Sequence, residues 1–214
     1  MSVQNNLLQI KATLPEYVTL VAVSKTKPVA DLMEAYHAGQ RIFGENKIQE
    51  MAEKFEMMPK DIQWHMIGHV QTNKVKIMAP FVNLIHGVDS LKLLEEINKQ
   101  ALKNNRVIDC LLQMHIAEED TKFGLNETEL DEIIKLAQDN HFTNVKITGL
   151  MGMATFTDDK NQIKKEFLQL KSIFDKYSHL KTLSMGMSGD YQLAIECGST
   201  MVRIGSSIFG ERNN

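Results

Sequence analysis

The sequence predicts an α/β fold: one (β/α)₈ barrel domain over residues 1–214, with an extra helix ahead of the first strand. Three observations point there. Short apolar, β-branched runs alternate with longer segments of helical period, the pattern of βαβ units and a parallel sheet. The runs number eight, which is the strand count of a closed barrel. A length of 214 residues lies just above the roughly 200 that this architecture needs, so the strands use up the chain and leave no second domain. An open doubly wound sheet is the competing arrangement.

The elements follow in order. Val3–Ala12, with apolar Leu7, Leu8, Ile10 and Ala12, reads as the extra helix, packed against the barrel. The strands are expected at Thr19–Val23, Arg41–Phe43, Gln63–Ile67, Val82–His86, Asp109–His115, Lys146–Met151, Thr182–Met185 and Met201–Ile204. Between them, helices are expected at Val29–Ala38, Lys47–Phe55, Asn73–Met78, Leu91–Asn104, Glu127–Asn140, Asn161–Tyr177 and Asp190–Glu196. Gly39 closes the first of these, Asp89-Ser90 opens the fourth, and Asn126 with Glu129 makes a capping-box pattern at the fifth.

Composition narrows the function classes. Lys and Arg total 24 against 27 Asp and Glu, a net charge of -3, so the chain as a whole offers no surface for a polyanion such as nucleic acid. Hydrophobic residues at 43% and charged ones at 24% are those of an ordinary globular protein, and no run approaches the ~20 apolar residues of a membrane span. The N-terminus has no basic start followed by an apolar stretch. Cys110 and Cys197 sit in apolar segments and read as small core residues in a reducing compartment, so a cytoplasmic protein is expected. The absence of an extra apolar stripe leans towards a monomer.

In a parallel barrel the chemistry gathers where the strands end. Strand one is followed by Ser24-Lys25-Thr26-Lys27-Pro28, strand two by Gly44-Glu45-Asn46, strand seven by Gly186-Met187-Ser188-Gly189-Asp190, and strand eight by Gly205-Ser206-Ser207. Small and hydroxyl residues after strands seven and eight let backbone amides approach a phosphate. Ser188 also reads as an N-cap for the helix near Asp190. Lys25 ends a wholly apolar strand, where an amine against apolar walls loses proton affinity and becomes a nucleophile for an aldehyde. Lys27, just before Pro28, reads as the solvated lysine. Arg203 ends strand eight and faces either a phosphate or aromatic nitrogen, or a carboxylate such as Glu45.

Three further patterns are set aside. His65 and His69 have i, i+4 spacing but lie on a strand and turn, where it does not converge on a metal. Gly205–Glu211 resembles the start of a phosphate-binding loop but has Glu in place of the required Lys. Met151, Met153, Met185 and Met187 read as core filler.

Six ordered stretches carry a resemblance: Ala22-Val-Ser-Lys-Thr-Lys-Pro28, Phe43-Gly-Glu-Asn46, Trp64-His-Met-Ile-Gly-His-Val-Gln-Thr-Asn-Lys74, Gly149-Leu-Met-Gly-Met153, Ser184-Met-Gly-Met-Ser-Gly-Asp190 and Arg203-Ile-Gly-Ser-Ser-Ile-Phe-Gly210. On these the chain resembles the pyridoxal phosphate homeostasis protein family, whose fold is similar to the barrel of alanine racemase. The resemblance implies that Lys25 holds pyridoxal 5'-phosphate (PLP) as a Schiff base, that Ser188, Gly205 and Ser206 hold the phosphate, that Arg203 lies by the pyridine nitrogen, and that Asn46 sits beside the ring. It also implies an intracellular role in vitamin B6 homeostasis, with PLP-dependent apo-enzymes as receivers. Val70 and Gly87 depart from the family's usual Leu and Ser, and the varied segment Ala117–Gly124 is assigned no ligand contact.

The expected behaviour is that of a holder without turnover. Electron-sink chemistry on PLP benefits from a carboxylate at the pyridine nitrogen, which Arg203 cannot supply, and no second domain is expected to cover the opening. The alternative is a small fold-type III enzyme such as an amino-acid racemase, with Lys25 as one base and a site residue such as His65 as the other. A third reading is non-covalent binding of another phosphorylated metabolite. Arg203→Ala and Ser188→Ala are both expected to weaken retention without unfolding the barrel.

Overall fold

Eight parallel strands, each hydrogen-bonded to the next and the last to the first, close into a barrel in the computed structural model, which describes residues 2–118 and 123–211. The first half runs α1 (Val3–Thr13), β1 (Thr19–Val23), α2 (Val29–His37), β2 (Ile42–Glu45), α3 (Ile48–Met57), β3 (Gln63–Met66), a 3₁₀ turn (Thr72–Lys74), α4 (Val75–Met78) and β4 (Leu84–Val88). The second half runs α5 (Leu91–Lys103), β5 (Ile108–Gln113), α6 (Glu127–Gln138), β6 (Val145–Met151), α7 (Lys160–Phe174), β7 (Thr182–Met187), α8 (Tyr191–Glu196), β8 (Met201–Ile204) and α9 (Ser206–Phe209). Closure is made by β1 and β8, where Val21 lies beside Arg203 and Ala22 beside Ile204.

The period of two along each strand divides the buried residues between two cores. Val21, Leu84, Leu111, Met151 and Met201 fill the inside of the barrel. Ala22, Phe43, Trp64, Met66, Ile85, Leu112, Leu150, Leu183 and Val202 face outward into the layer beneath the helices. The outer layer needs long amphipathic helices, and the caps supply their ends. Ser90 accepts from the amide of Leu93 at 3.3 Å, and Asn126 and Glu129 form the reciprocal box expected of them. Gly39 takes a φ of +87° directly after α2, and both cysteines are buried.

Several boundaries differ from expectation. β4 starts two residues late because Val82 is still bonded to Met78 at the end of α4, and Asn83 makes the first sheet contact, to Trp64. β2 runs on through Glu45, a charged residue that a strand tolerates here because α3 brings it a partner. The third helix splits into a 3₁₀ turn and α4. A short α9 follows β8, where no helix was expected. In α1, Leu7 is fully buried while Leu8 and Ala12 are exposed, and the helix packs on α2 and α9 rather than on the barrel wall.

Candidate functional site

At the strand-end face a cavity of ≈ 650 Å³ opens, and Lys25, Asn46, Ser188, Arg203, Gly205 and Ser206 all line it. The strand register explains the convergence. Val21 points inward, so Val23 and Lys25 follow on the same side, and Arg203 points inward beside Val21. By the same parity Glu45 points outward, so the ion pair between Arg203 and Glu45 does not form. Glu45 bonds Lys54 instead, at 2.7 Å.

Arg203 is 4% exposed and sits at the inner end of the cavity. Its Nη1 donates to the Ser184 carbonyl (3.0 Å) and to Ser184 Oγ (2.6 Å), and its Nη2 donates to the Gly152 carbonyl (3.2 Å). Burial lowers its pKa to about 10, against the opposing charge of Asp190, so it remains a cation at neutral pH. Arg203 thus belongs to the packed interior rather than to the open rim of the barrel.

Lys25 is half-buried, and the backbone on both sides of it is pinned. Ser24 Oγ donates to Glu45 Oε1 (2.6 Å), Lys54 Nζ donates to the Ser24 carbonyl (2.7 Å), and the Thr26 amide donates to Glu50 Oε1 (2.6 Å). Lys54 also bonds both Glu45 and Glu50, at 2.7 Å each. Thr26 takes a φ of +63°, a left-handed conformation costly for a branched residue, and these bonds hold it there. Lys27 is half-buried, lines the cavity and donates to the Glu211 carbonyl at 2.8 Å, so it is not the solvated lysine the sequence suggested.

The mouth is built from the last two loops. Ser188 does not cap α8. Asp190 stands at that position, and its carboxylate accepts from the Met187 amide at 2.6 Å. Ser188 Oγ instead accepts from the Gly205 amide at 3.2 Å, tying loop seven to loop eight. Ser206 begins α9, whose leading amides have no partner within the helix. Across the cavity, Gly68 permits close approach to Asn46. A Cβ there would stand 2.4 Å from the Asn46 carbonyl oxygen. Met153 and Met187 line the cavity rather than filling core, whereas Met151 and Met185 are buried as expected.

His65 is not at this site. It is buried in a lower layer, lines a second cavity at the opposite end of the barrel, and its Nδ1 lies 3.0 Å from His86 Nε2. His65 therefore cannot serve as the second base of the racemase alternative, and no tyrosine lines the cavity among the described residues. His69 bonds Asp89 at 3.1 Å and stacks on Phe123. No cluster of three metal-ligating side chains occurs among the described residues. Of the varied segment Ala117–Gly124, residues 119–122 lie outside the described ones.

The family described as alanine racemase, N-terminal domain, matches residues 1–213. A pyridoxal phosphate homeostasis protein of Pasteurella multocida is 37% identical over 232 aligned positions, covering 100% of this chain and 99% of that one. The chain belongs to this family. PipY of Synechococcus elongatus, solved with PLP bound, superposes with a TM-score of 0.88 at 33% identity, over 98% of this chain and 100% of that one. The alanine racemase of E. faecalis shares the fold, with a TM-score of 0.79 at 15% identity over 99% of this chain and 58% of that one.

Sequence reasoning did not find Ser184, His86, Glu50 or Lys54. The signal for the first two was present. Polar side chains at inward-facing positions of otherwise apolar strands have to be bonded to one another.

Proposed function

We propose that the protein binds pyridoxal 5'-phosphate, holds it on Lys25 and serves its homeostasis inside the cell, without turnover of its own. The observation that carries this reading is the convergence on one cavity of an amine, a buried donor-only guanidinium and the hydroxyls and amides of the last two loops. The residues fit the group. Lys27 adds positive charge at the mouth for a phosphate, and Arg203 offers its remaining N–H groups to an unprotonated ring nitrogen. Bound there, PLP supplies an aldehyde, which condenses with an amine and releases water. Ser188, Gly205 and Ser206 orient the phosphate, and Asn46 lies beside the ring.

The same reading covers one domain over residues 1–214, a monomer whose closed barrel offers no free sheet edge for pairing among the described residues, and a cytoplasmic location with PLP-dependent apo-enzymes as receivers. No helix among the described residues is long and apolar enough to cross a membrane.

Borohydride reduction of the protein loaded with PLP, followed by peptide mass spectrometry, tests this. The added mass is expected on Lys25 alone. A tag on Lys27 or on no lysine refutes the assignment. Deuterium exchange at Cα of added amino acids in D₂O is expected to stay at the background rate. Ser188→Ala should release PLP about tenfold more readily while shifting stability by no more than about 1 kcal/mol, the worth of one ordinary hydrogen bond. Equilibrium dialysis and thermal unfolding measure the two quantities.

A further inference from the structure

Behind Arg203, four inward-facing polar residues from four different strands form one continuous chain. Arg203 Nη1 donates to Ser184 Oγ at 2.6 Å, Ser184 Oγ lies 3.0 Å from His86 Nδ1, and His86 Nε2 lies 3.0 Å from His65 Nδ1. Ser184 and His86 are fully buried, and His65 is 4% exposed.

The direction of every hydrogen in this chain follows from its first member. A guanidinium only donates, so Ser184 Oγ accepts from Arg203. The Ser184 hydroxyl proton then has one acceptor within reach among the described residues, His86 Nδ1. With Nδ1 accepting, a neutral His86 carries its proton on Nε2 and donates to His65 Nδ1. His65 in turn carries its proton on Nε2, on the ring that lines the cavity at the far end of the barrel. Every contact within the chain then pairs one donor with one acceptor; a second proton on His65 would set two N–H groups against each other, and one on His86 would set its Nδ1–H against the Ser184 hydroxyl proton. Burial holds both imidazoles neutral, His65 with a pKa lowered to about 3 and His86 well below its ordinary value.

We infer that Ser184 and His86, backed by His65, are positioning residues that lock the Arg203 guanidinium in one orientation, so that it presents fixed donors to the ring nitrogen of the cofactor. The inference rests on the PLP reading above. The chain consumes the Nη1 side of the fork in the wall and leaves the Nε side and the second Nη2 hydrogen for the cavity. A mobile guanidinium at the same place would carry the same charge but would neither hold the ring nitrogen unprotonated nor fix the tilt of the ring.

Two measurements test it. In the protein without PLP, ¹⁵N NMR of the imidazoles is expected to show both His65 and His86 as Nε2–H tautomers, and Ser184→Ala is expected to abolish the preference at His86. A wild-type His86 protonated on Nδ1 overturns the inference, whatever the fate of the PLP reading. In the loaded protein, His86→Leu, which offers Ser184 no acceptor, is expected to weaken PLP retention roughly tenfold and to shift its visible absorption band. His86→Asn, whose amide oxygen stands near the place of Nδ1, is expected to restore both. If His86→Leu retains PLP with the wild-type band and affinity, or if His86→Asn fails as badly as His86→Leu, the positioning role is wrong. The borohydride tag on wild-type Lys25 is read in parallel. Its presence beside an unchanged His86→Leu sinks this inference alone, and its absence sinks the PLP reading instead.

Discussion

Lys54→Met is expected to destabilise the protein by about 3–5 kcal/mol at neutral pH, the cost of leaving buried carboxylates without their cation. Lys54 is 5% exposed and is the partner of Glu45, which is fully buried, and of Glu50. Methionine matches the length of the stem but removes the ammonium that Glu45, Glu50 and the Ser24 carbonyl share, leaving Glu45 the Ser24 hydroxyl and Glu50 the Thr26 amide. One carboxylate oxygen, Glu45 Oε2, has no partner even in the intact protein. The pH dependence gives the loss a signature. Burial raises the Glu45 pKa above its ordinary 4.5, while Lys54 pulls it down. A carboxyl whose pKa is higher folded than unfolded favours the fold below its unfolded value, and loses that contribution as pH rises through the folded one. Without Lys54 the folded pKa climbs further, so the variant carries a larger penalty at neutral pH. The gap between variant and wild type should narrow as pH falls towards 4.5 and Glu45 takes up its proton. Urea unfolding at neutral pH and at about pH 5 measures the gap. A loss below ~1 kcal/mol, or a gap that widens in acid, contradicts the argument. PLP retention should fall as well, because the same ammonium pins Ser24 and, through Glu50, the left-handed Thr26 on either side of Lys25.

The barrel and the position of its opening were legible in the sequence because the strand runs repeat at a spacing that allows little else. Strand parity carries side-chain direction with it, so Lys25 at the end of an apolar run had to reach the inner rim. The same parity decides between the two partners offered for Arg203, since Ile42 and Gly44 share the inward side and Glu45 takes the other. What could not be read is whatever depends on contacts across helices. Lys54 lies 30 residues from Ser24, and nothing local marks a lysine on α3 as buried. The cap falls to Asp190 rather than Ser188 because Ser and Asp are both good caps, and a bond to Gly205 in the loop after another strand outweighs a local one. The α9 turn follows an unlikely helix-starting glycine and is held by its packing against α1.

Arg203→Ala is expected to lower both PLP retention and stability, the latter by about 2–4 kcal/mol, in contrast to the near-neutral Ser188→Ala. Ser188 is half-buried at the rim and makes a single bond, to the Gly205 amide. Arg203 sits in the interior layer, and its loss takes one donor each from the Ser184 carbonyl, Ser184 Oγ and the Gly152 carbonyl and leaves a void, although the Gly152 amide still bonds the Ser184 carbonyl and His86 still bonds Ser184 Oγ. The relief of a buried charge offsets part of this, which is why the expected cost falls short of that at Lys54. Arg203→Lys separates charge from geometry. An ammonium keeps the positive sign at the inner end of the cavity, but its single nitrogen cannot bond Ser184 and Gly152 and still face a ligand, so stability should recover further than retention. Thermal unfolding and equilibrium dialysis of the three variants give the comparison. An Arg203→Ala protein as stable as wild type would place the guanidinium outside the packing that holds β6, β7 and β8 together. Equal recovery of both quantities in Arg203→Lys would mean that the site reads charge alone and has no use for a planar fork.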